Sequence, residues 1–246
     1  MSSSKLKKAP LKEVIFELHW NCPIDNTGME KDEEFEFAQG RFSDKIKDAF
    51  PVYKKLIPDG FPLNIIHAPI HQYWKNEFKW PVIQHGQGMI AVNEVEDGYI
   101  WESGFKPTIH NALSILFNSY AKPLKFEKIK LVYIDAWDLN EENPIEFIRN
   151  NLQTSIISYY DSPGIPKDIS LFQSYDLIDK SNLLLNISTG VNNITQNKSI
   201  ILNTAIEKND AITLDNIYQW IDFAHDICSS TFKKMLNKEF YEKLDE

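Results

Sequence analysis

The sequence predicts an α+β fold in which one unit, reading strand, helix, three strands, helix, occurs twice. Three observations predict it. A strand of alternating apolar residues opens each half of the chain, an amphipathic helix pattern follows each of these strands, and a second helix pattern closes each half. The first repeat is expected over residues 1–122 and the second over residues 123–246, with a connection too short to act as a linker.

The two opening strands align without a gap. Residues 13–20 (EVIFELHW) lie over residues 130–137 (KLVYIDAW). Strand side chains alternate between two faces, so one face of each strand is predicted to be buried. On that face Asp135 stands where the first repeat has Leu18, which predicts a buried carboxylate.

Further elements of the first repeat follow from spacing and composition. Residues 34–50 carry apolar side chains at helical spacing and should end before Pro51. The patterns predict strands at residues 61–73, 81–94 and 99–105, with a bulge at the glycines of residues 84–88. Thr108 is predicted to cap the helix that closes the repeat.

The second repeat is predicted in the same way. After a strand over residues 127–139, Pro144 is expected to begin a helix that runs to Ile157. Strands follow around residues 169–178, 183–191 and 199–207, and a long C-terminal helix begins near Thr213. We expect two curved antiparallel sheets backed by helices, a layout similar to helix-grip and TATA-binding-like folds.

Composition limits the function classes. The formal net charge is −9, so the phosphate backbone of a nucleic acid is repelled on average and direct nucleic-acid binding is not expected. Hydrophobic residues make up 43% of the chain, which is enough for a substantial core. The two cysteines follow no metal-ligand spacing, no apolar stretch reaches the ~18 residues of a membrane span, and a cytoplasmic protein is expected.

One polar cluster is a candidate site. Asp222 and His225 lie one turn apart on the last predicted helix and could meet Asp135. Such a cluster could be a hydrogen-bonded structural network or the centre of a metal-dependent hydrolase. A third metal ligand is not identifiable, so no metal and no cofactor is assigned.

Three histidines form a second group. His67, His71 and His85 lie on neighbouring predicted strands, and Pro69 indicates an edge or bent strand. The histidines could form a ligand cluster, but we expect them to face solvent at a sheet edge.

No nucleophile elbow, Walker loop or Ser-His-Asp order is present, so the motifs do not favour an enzyme. The sequence favours a component that binds a partner protein, with a ligand-binding module that uses a cavity between sheet and last helix as the alternative. The candidate contact residues lie in the aromatic segment 71–80: Tyr73, Trp74, Phe78 and Trp80. The alternative for these rings is that they fold back onto the first sheet.

The chain also resembles a known family through an ordered series of segments. These are residues 9–18 with Trp20, residues 50–53, 84–88 and 92–93, Tyr99 and Trp101, and residues 133–135 and 220–225. The series is similar to that of the uncharacterised prokaryotic proteins known only as "sporadically distributed", with His19 in place of the usual arginine. The family has no activity to carry over. Its patchy distribution implies an antiviral defence or toxin–antitoxin setting.

Overall fold

The computed structural model describes residues 6–24, 26, 28–58, 66–77, 79–95, 97–156, 164 and 166–246. Within these residues the chain forms nine strands and five α-helices. The strands are β1 (Leu11–Trp20), β2 (Val52–Lys55), β3 (His71–Asn76), β4 (Lys79–Gly86), β5 (Met89–Val95), β6 (Phe126–Asp138), β7 (Ser170–Asp176), β8 (Asn182–Val191) and β9 (Lys198–Lys208). The helices are α1 (Phe35–Ile46), α2 (Lys106–Phe117), α3 (Pro144–Asn151), α4 (Ile217–Met235) and α5 (Lys238–Lys243).

The strands form one large antiparallel sheet in the order β2-β3-β4-β5-β1-β6-β9-β8-β7. The α+β class and the long C-terminal helix are therefore confirmed. The expectation of two separate sheets is wrong, because β1 and β6, the two opening strands, are neighbours in a single strand order.

The chain divides into two compact units. The α1 unit comprises Val14–Leu131 and Glu207–Trp220, and the α4 unit comprises Met1–Glu13, Val132–Ile206 and Ile221–Glu246. The proposed repeats at residues 1–122 and 123–246 concern ancestry and remain a prediction.

In the α1 unit, helix α1 buries the apolar stripe that its sequence predicts. Phe35, Ala38, Phe42 and Ile46 are buried at steps of three and four residues. The helix ends before Pro51, and the short strand β2, which the sequence pattern did not indicate, follows at once. The predicted face of β1 is also buried: Val14, Phe16 and Leu18 are inaccessible to solvent.

The glycines of residues 84–88 form a hairpin turn and not the predicted bulge. Gly86 pairs with Met89, so Gln87 and Gly88 connect β4 to β5. Gly88 has a φ of +71°, and a Cβ atom there would lie 2.7 Å from the Cys22 sulfur. Both the left-handed backbone and the close contact require glycine at this position.

Residues 99–105 do not form the predicted strand. Trp101–Phe105 is a π-helical turn that runs directly into α2. Trp101 and Phe105 are both buried and lie four residues apart, which is a helical spacing. The segment was predicted as a strand because aromatic residues favour strands. The Thr108 hydroxyl therefore donates to the Gly104 carbonyl inside the helix and does not cap it.

In the α4 unit, α3 begins as predicted, because the Asn143 side chain accepts from the Ile145 amide and Pro144 occupies the first turn. It ends at Asn151, six residues short of the predicted Ile157. Leu152 then forms a bridge to Leu236, which fixes the chain in an extended conformation. The core beneath combines β8, β9 and the helices: Leu139, Phe147, Ile148, Leu152, Ile187, Ile200, Leu202, Leu236 and Leu244.

Candidate functional site

Asp135 lies on β6 and is 5% exposed, which confirms the predicted burial. Its neighbour on α4 is Cys228, whose pKa the Asp135 carboxylate helps to raise. Burial raises the pKa of the Asp135 carboxyl to about 7, and the positive charge of Lys12 opposes this shift. No hydrogen bond is among the causes of this shift, and the expected hydrogen-bonded network around the carboxylate remains a prediction.

His225 lies against a different residue of β6. Its Nδ1 is 2.8 Å from the Tyr133 hydroxyl, two positions before Asp135. Alternate residues of β6 lie against successive turns of α4. Tyr133 lies against His225, Asp135 is near Cys228, and Trp137 stacks with Phe232. Since a strand rises 3.3 Å per residue and a helix 1.5 Å, Asp135 meets the helical turn after His225.

The predicted cluster of Asp135, Asp222 and His225 is therefore not brought together as one site. Asp222 is half-buried on α4. Within the described residues no group of three or more His, Cys, Asp or Glu side chains is arranged to hold a metal ion. The geometry gives no support to the metal-dependent hydrolase alternative.

The ligand-binding alternative, a cavity between the sheet and the last helix, remains a prediction. Beneath α4, the ring centroids of Trp137 and Phe232 are 6.4 Å apart and the rings are nearly parallel. A pocket of about 230 Å³ lies instead beside the end of α2, lined by residues that include Phe117, Phe126 and Leu214. This volume is below the roughly 300–1,000 Å³ typical of small-molecule sites.

Two of the three predicted edge histidines are buried, not solvent-facing. His71 and His85 are paired across β3 and β4 and face α1, where they are 7% and 0% exposed. His71 Nδ1 is 2.6 Å from the Tyr53 hydroxyl, and burial lowers its pKa to about 4. His67 is half-buried, and its Nε2 lies 3.1 Å from the Trp20 carbonyl oxygen.

His85 is the most confined of these groups. Its ring centroid lies 5.1 Å from those of Phe35 and Phe42, and neither ring nitrogen has a hydrogen-bond partner among the described residues. Burial, with a smaller contribution from His71, lowers its pKa to about 3. A neutral imidazole without access to solvent can exchange no proton with a substrate, so His85 belongs to the core.

Both cysteines are buried as free thiols. Burial raises the pKa of the Cys22 thiol to about 12, with the Asp32 carboxylate adding to the effect, and raises that of Cys228 as well. Because the thiolate is the reactive form, neither side chain is an activated nucleophile.

The aromatic candidates separate to opposite faces of β3. Tyr73 is 1% exposed and its hydroxyl accepts from Gln39 of α1, so it is not available to a partner. Trp74 points to the other face, where its ring meets that of Trp80 edge to face at 5.4 Å. Trp74 and Trp80 are half-buried. Phe78 lies outside the described residues.

The burial of two polar groups, His85 and Asp32, was not predicted from the sequence. Ile83 and His85 are two positions apart on β4 and therefore share one face of the strand. The strand period alone would have predicted that His85 is buried beside Ile83. Asp32 accepts from the Trp20 indole at 3.1 Å and from the Tyr120 hydroxyl at 2.6 Å. Asp32 precedes α1 in a loop and had no pattern that could have indicated its partners.

No family model and no curated protein matches this chain. Among solved structures, it is similar to an unknown protein from Galdieria sulphuraria, at 9% sequence identity and a TM-score of 0.16 over 91% of this chain and 94% of that chain. A likeness at that score transfers neither fold nor function. Within the described residues, no helix combines the length and the apolar character that crossing a membrane requires.

Proposed function

We propose that this chain is a non-catalytic cytoplasmic component that binds another protein through the end of the β3–β4 hairpin. The observation that carries the proposal is the Trp74–Trp80 pair on the sheet face away from α1. Trp is enriched at binding hot spots because a large rigid ring contributes contact area at little entropic cost.

The surroundings of the pair support a binding role. Lys75, Asn76, Glu77 and Lys79 are exposed next to the two rings. An apolar centre with a charged rim is the usual anatomy of a protein interface. Trp74 lies at the end of the regular pairing of β3 with β4, which runs from His71 with His85 to Trp74 with Val82, and Trp80 lies where the register shifts. The regular pairing fixes the position of Trp74 before binding.

The chemistry of the buried thiols and of the two buried imidazoles supports a non-catalytic role for these four side chains. The two thiols have raised pKa values, and the pKa values of His71 and His85 are lowered to about 4 and about 3. These shifts move each group away from the range in which it could act as nucleophile or base near neutral pH. The resemblance to the sporadically distributed family adds the proposed setting, an antiviral defence or toxin–antitoxin locus.

Affinity purification of the full chain from its native host, followed by mass spectrometry, tests the proposal. We expect one partner protein to be recovered in stoichiometric amount, and Trp74→Ala or Trp80→Ala to weaken its binding by at least about tenfold. Phe37→Ala is the matched control, since Phe37 is 73% exposed on α1 and lies outside the hairpin. Recovery of the chain alone, or equal losses from Phe37→Ala, contradicts the proposal.

We further infer that the two halves descend from one duplicated unit of the TATA-binding-like kind. The strand order supports this: β1 and β6 are central, β5 and β9 flank them, and β4 and β8 come next. Each opening strand is followed by a helix, α1 or α3, and each set of later strands is followed by α2 or α4.

A further inference from the structure

The two edges of the sheet differ in how they are protected. The edge strand β2 has four residues, and two of them, Lys54 and Lys55, are exposed lysines. The opposite edge strand, β7, has seven residues and contains neither lysine nor proline. Short length and lysine are the devices that prevent edge strands from pairing with other chains, and β7 lacks both.

Strand β7 also exposes large apolar side chains. Phe172 and Tyr175 are 62% and 44% exposed, on opposite faces of the strand. Six of its seven residues are exposed, and the remaining one, Leu171, packs against the core. If β7 stayed exposed to water, polar side chains would be hydrated at a lower free-energy cost than the rings of Phe172 and Tyr175.

Hydrogen bonds show which backbone groups of β7 face the open edge. The Ile169 carbonyl accepts from Thr189 at 3.0 Å, and the Leu177 amide donates to Ser181 at 2.8 Å, so the odd-numbered residues point toward β8. Backbone groups of successive strand residues point in opposite directions within the sheet. The amides and carbonyls of Ser170, Phe172, Ser174 and Asp176 therefore point toward the edge.

We propose that β7 is a self-association edge, at which a second copy of this chain pairs antiparallel about a two-fold axis through Gln173. This register places all four edge-facing residues opposite one another: Phe172 faces Ser174 of the second copy, and Ser170 faces Asp176. Such pairing forms about eight backbone hydrogen bonds. An isologous contact of this kind closes as a dimer and does not propagate.

The side chains fit this register without a clash of like charges. Leu171 faces Tyr175 of the second copy on the helix side of the sheet, which is a favourable aliphatic–aromatic pair. The single charged residue of the strand, Asp176, faces the Ser170 hydroxyl. Just beyond the strand, the register places Lys167 opposite Asp179, which lies in the turn between β7 and β8 and also accepts from Ser181. The two-fold axis repeats this pair of opposite charges.

Sedimentation velocity of the full chain over a concentration series is the first test. We expect a reversible monomer–dimer equilibrium with a dissociation constant on the order of micromolar, since a two-strand contact is smaller than a standard interface. Ser174→Pro removes an edge-facing amide and should abolish the dimer, while proline on the open side of an edge strand leaves the monomer folded. Ser174→Ala is the matched control and should dimerise like the parent.

Two further measurements fix the register. Lys167→Glu places like charges opposite each other twice and should raise the dissociation constant roughly five- to twentyfold. Residue-resolved hydrogen exchange should show concentration-dependent protection of the amides of Phe172, Ser174 and Asp176, but not of Gln173 or Tyr175.

The proposal is overturned by a monomer at every concentration. It is equally overturned by a dimer that survives Ser174→Pro, or by new protection that lies outside β7. Circular dichroism of Ser174→Pro confirms that a lost dimer does not reflect a lost fold. None of these outcomes depends on Trp74 or Trp80, so the test is independent of the proposed partner protein.

Discussion

His85 and Asp135 are ionisable side chains that the fold buries, and the ring nitrogens of His85 have no hydrogen-bond partner among the described residues. Burial penalises the charged form in both, but the consequences have opposite pH dependence. The histidine is penalised in acid, where it would be protonated, and the carboxylate is penalised at neutral pH, where it would be ionised.

For His85 we predict a loss of stability in acid. Its folded-state pKa is about 3, below the ordinary value of 6.5, so below pH 6.5 the unfolded chain binds a proton that the folded chain does not. Stability should fall progressively from pH 6.5 to about 3, by on the order of 3 kcal/mol at pH 4 from this residue alone. His85→Phe should remove this contribution, as measured by urea denaturation at several pH values.

The matched control is Ile83→Val, at a fully buried position on the same face of β4. It should lower the free energy of unfolding by about 1 kcal/mol at every pH, because it changes packing and no titratable group. An equal acid dependence in His85→Phe and in the parent chain would show that His85 is protonated in the folded state.

For Asp135 we predict that a neutral replacement stabilises the protein. The folded-state pKa is raised to about 7 from 3.8, so stability falls as pH rises from about 4 to 7 and is constant above. Asp135→Asn should therefore raise the free energy of unfolding at pH 8 by about 1–3 kcal/mol and leave it nearly unchanged at pH 4.

Thermal and urea unfolding of Asp135→Asn at the two pH values make the comparison. Asp226→Asn, at an exposed position on α4, is the control and should leave stability within about 0.5 kcal/mol of the parent. A destabilised Asp135→Asn at pH 8 would indicate an ionised and satisfied carboxylate, as in a functional site.

At the scale of elements, one carboxylate organises the connection between β8 and β9. Asp138, at the end of β6, accepts hydrogen bonds from Asn192, Thr195, Asn197 and Ser199. The Ser199 bond is the shortest at 2.7 Å and is the largest of the causes that hold the pKa of Asp138 below its usual value. The loop is thus tied to a strand far from it in sequence.

We predict that Asp138→Asn loosens this loop without unfolding the protein. The amide cannot accept four donors, so the backbone amides of Ile194, Thr195 and Asn197 should exchange with solvent at least about tenfold faster. Global stability should change by less than about 1 kcal/mol, since the site is near the surface. Hydrogen exchange followed by NMR measures both. Asp168→Asn, which affects the ion pair with Lys198, is the control and should leave these amides unchanged.

The elements that were predictable from sequence are those with a single strong period. Helix α1 and the buried face of β1 depend on spacing alone, and both agree with the structure. The π-helical turn at Trp101–Phe105 was not predictable, because aromatic residues favour strands when their packing partners are unknown. The hairpin at Gln87–Gly88 was hidden by two strands that together read as one apolar stretch.

At the scale of the whole molecule, the proposed duplication has a consequence for folding. If each half is a former repeat, a chain cut between Lys122 and Pro123, in the connection from α2 to β6, should remain folded as two associated fragments. Insertion of a protease site there, cleavage, and size-exclusion chromatography with circular dichroism test this. The same site inserted between Ile83 and Gln84, inside β4, is the control and should abolish folding. Separation of the fragments after cleavage at Lys122 would argue against the repeat.

The candidate sites were less predictable than the fold. The sequence placed Asp135 on a buried strand face correctly, but which turn of α4 it meets depends on the relative rise of strand and helix, which residue types do not specify. Tyr73 and Trp74 are adjacent aromatics with equal propensity. Only the position of α1 determines that the first is buried and the second lies on the opposite face.

The burial of both thiols has a practical consequence for labelling. Maleimide and iodoacetamide reagents attack thiolates that they can reach, and Cys22 and Cys228 offer neither accessibility nor ionisation near pH 7. An otherwise unaltered chain with one cysteine introduced at an exposed position, such as that of Phe37 or Ile194, should therefore be labelled with a single fluorophore. Distance measurements with fluorescent or spin labels therefore do not require Cys22 or Cys228 to be replaced first.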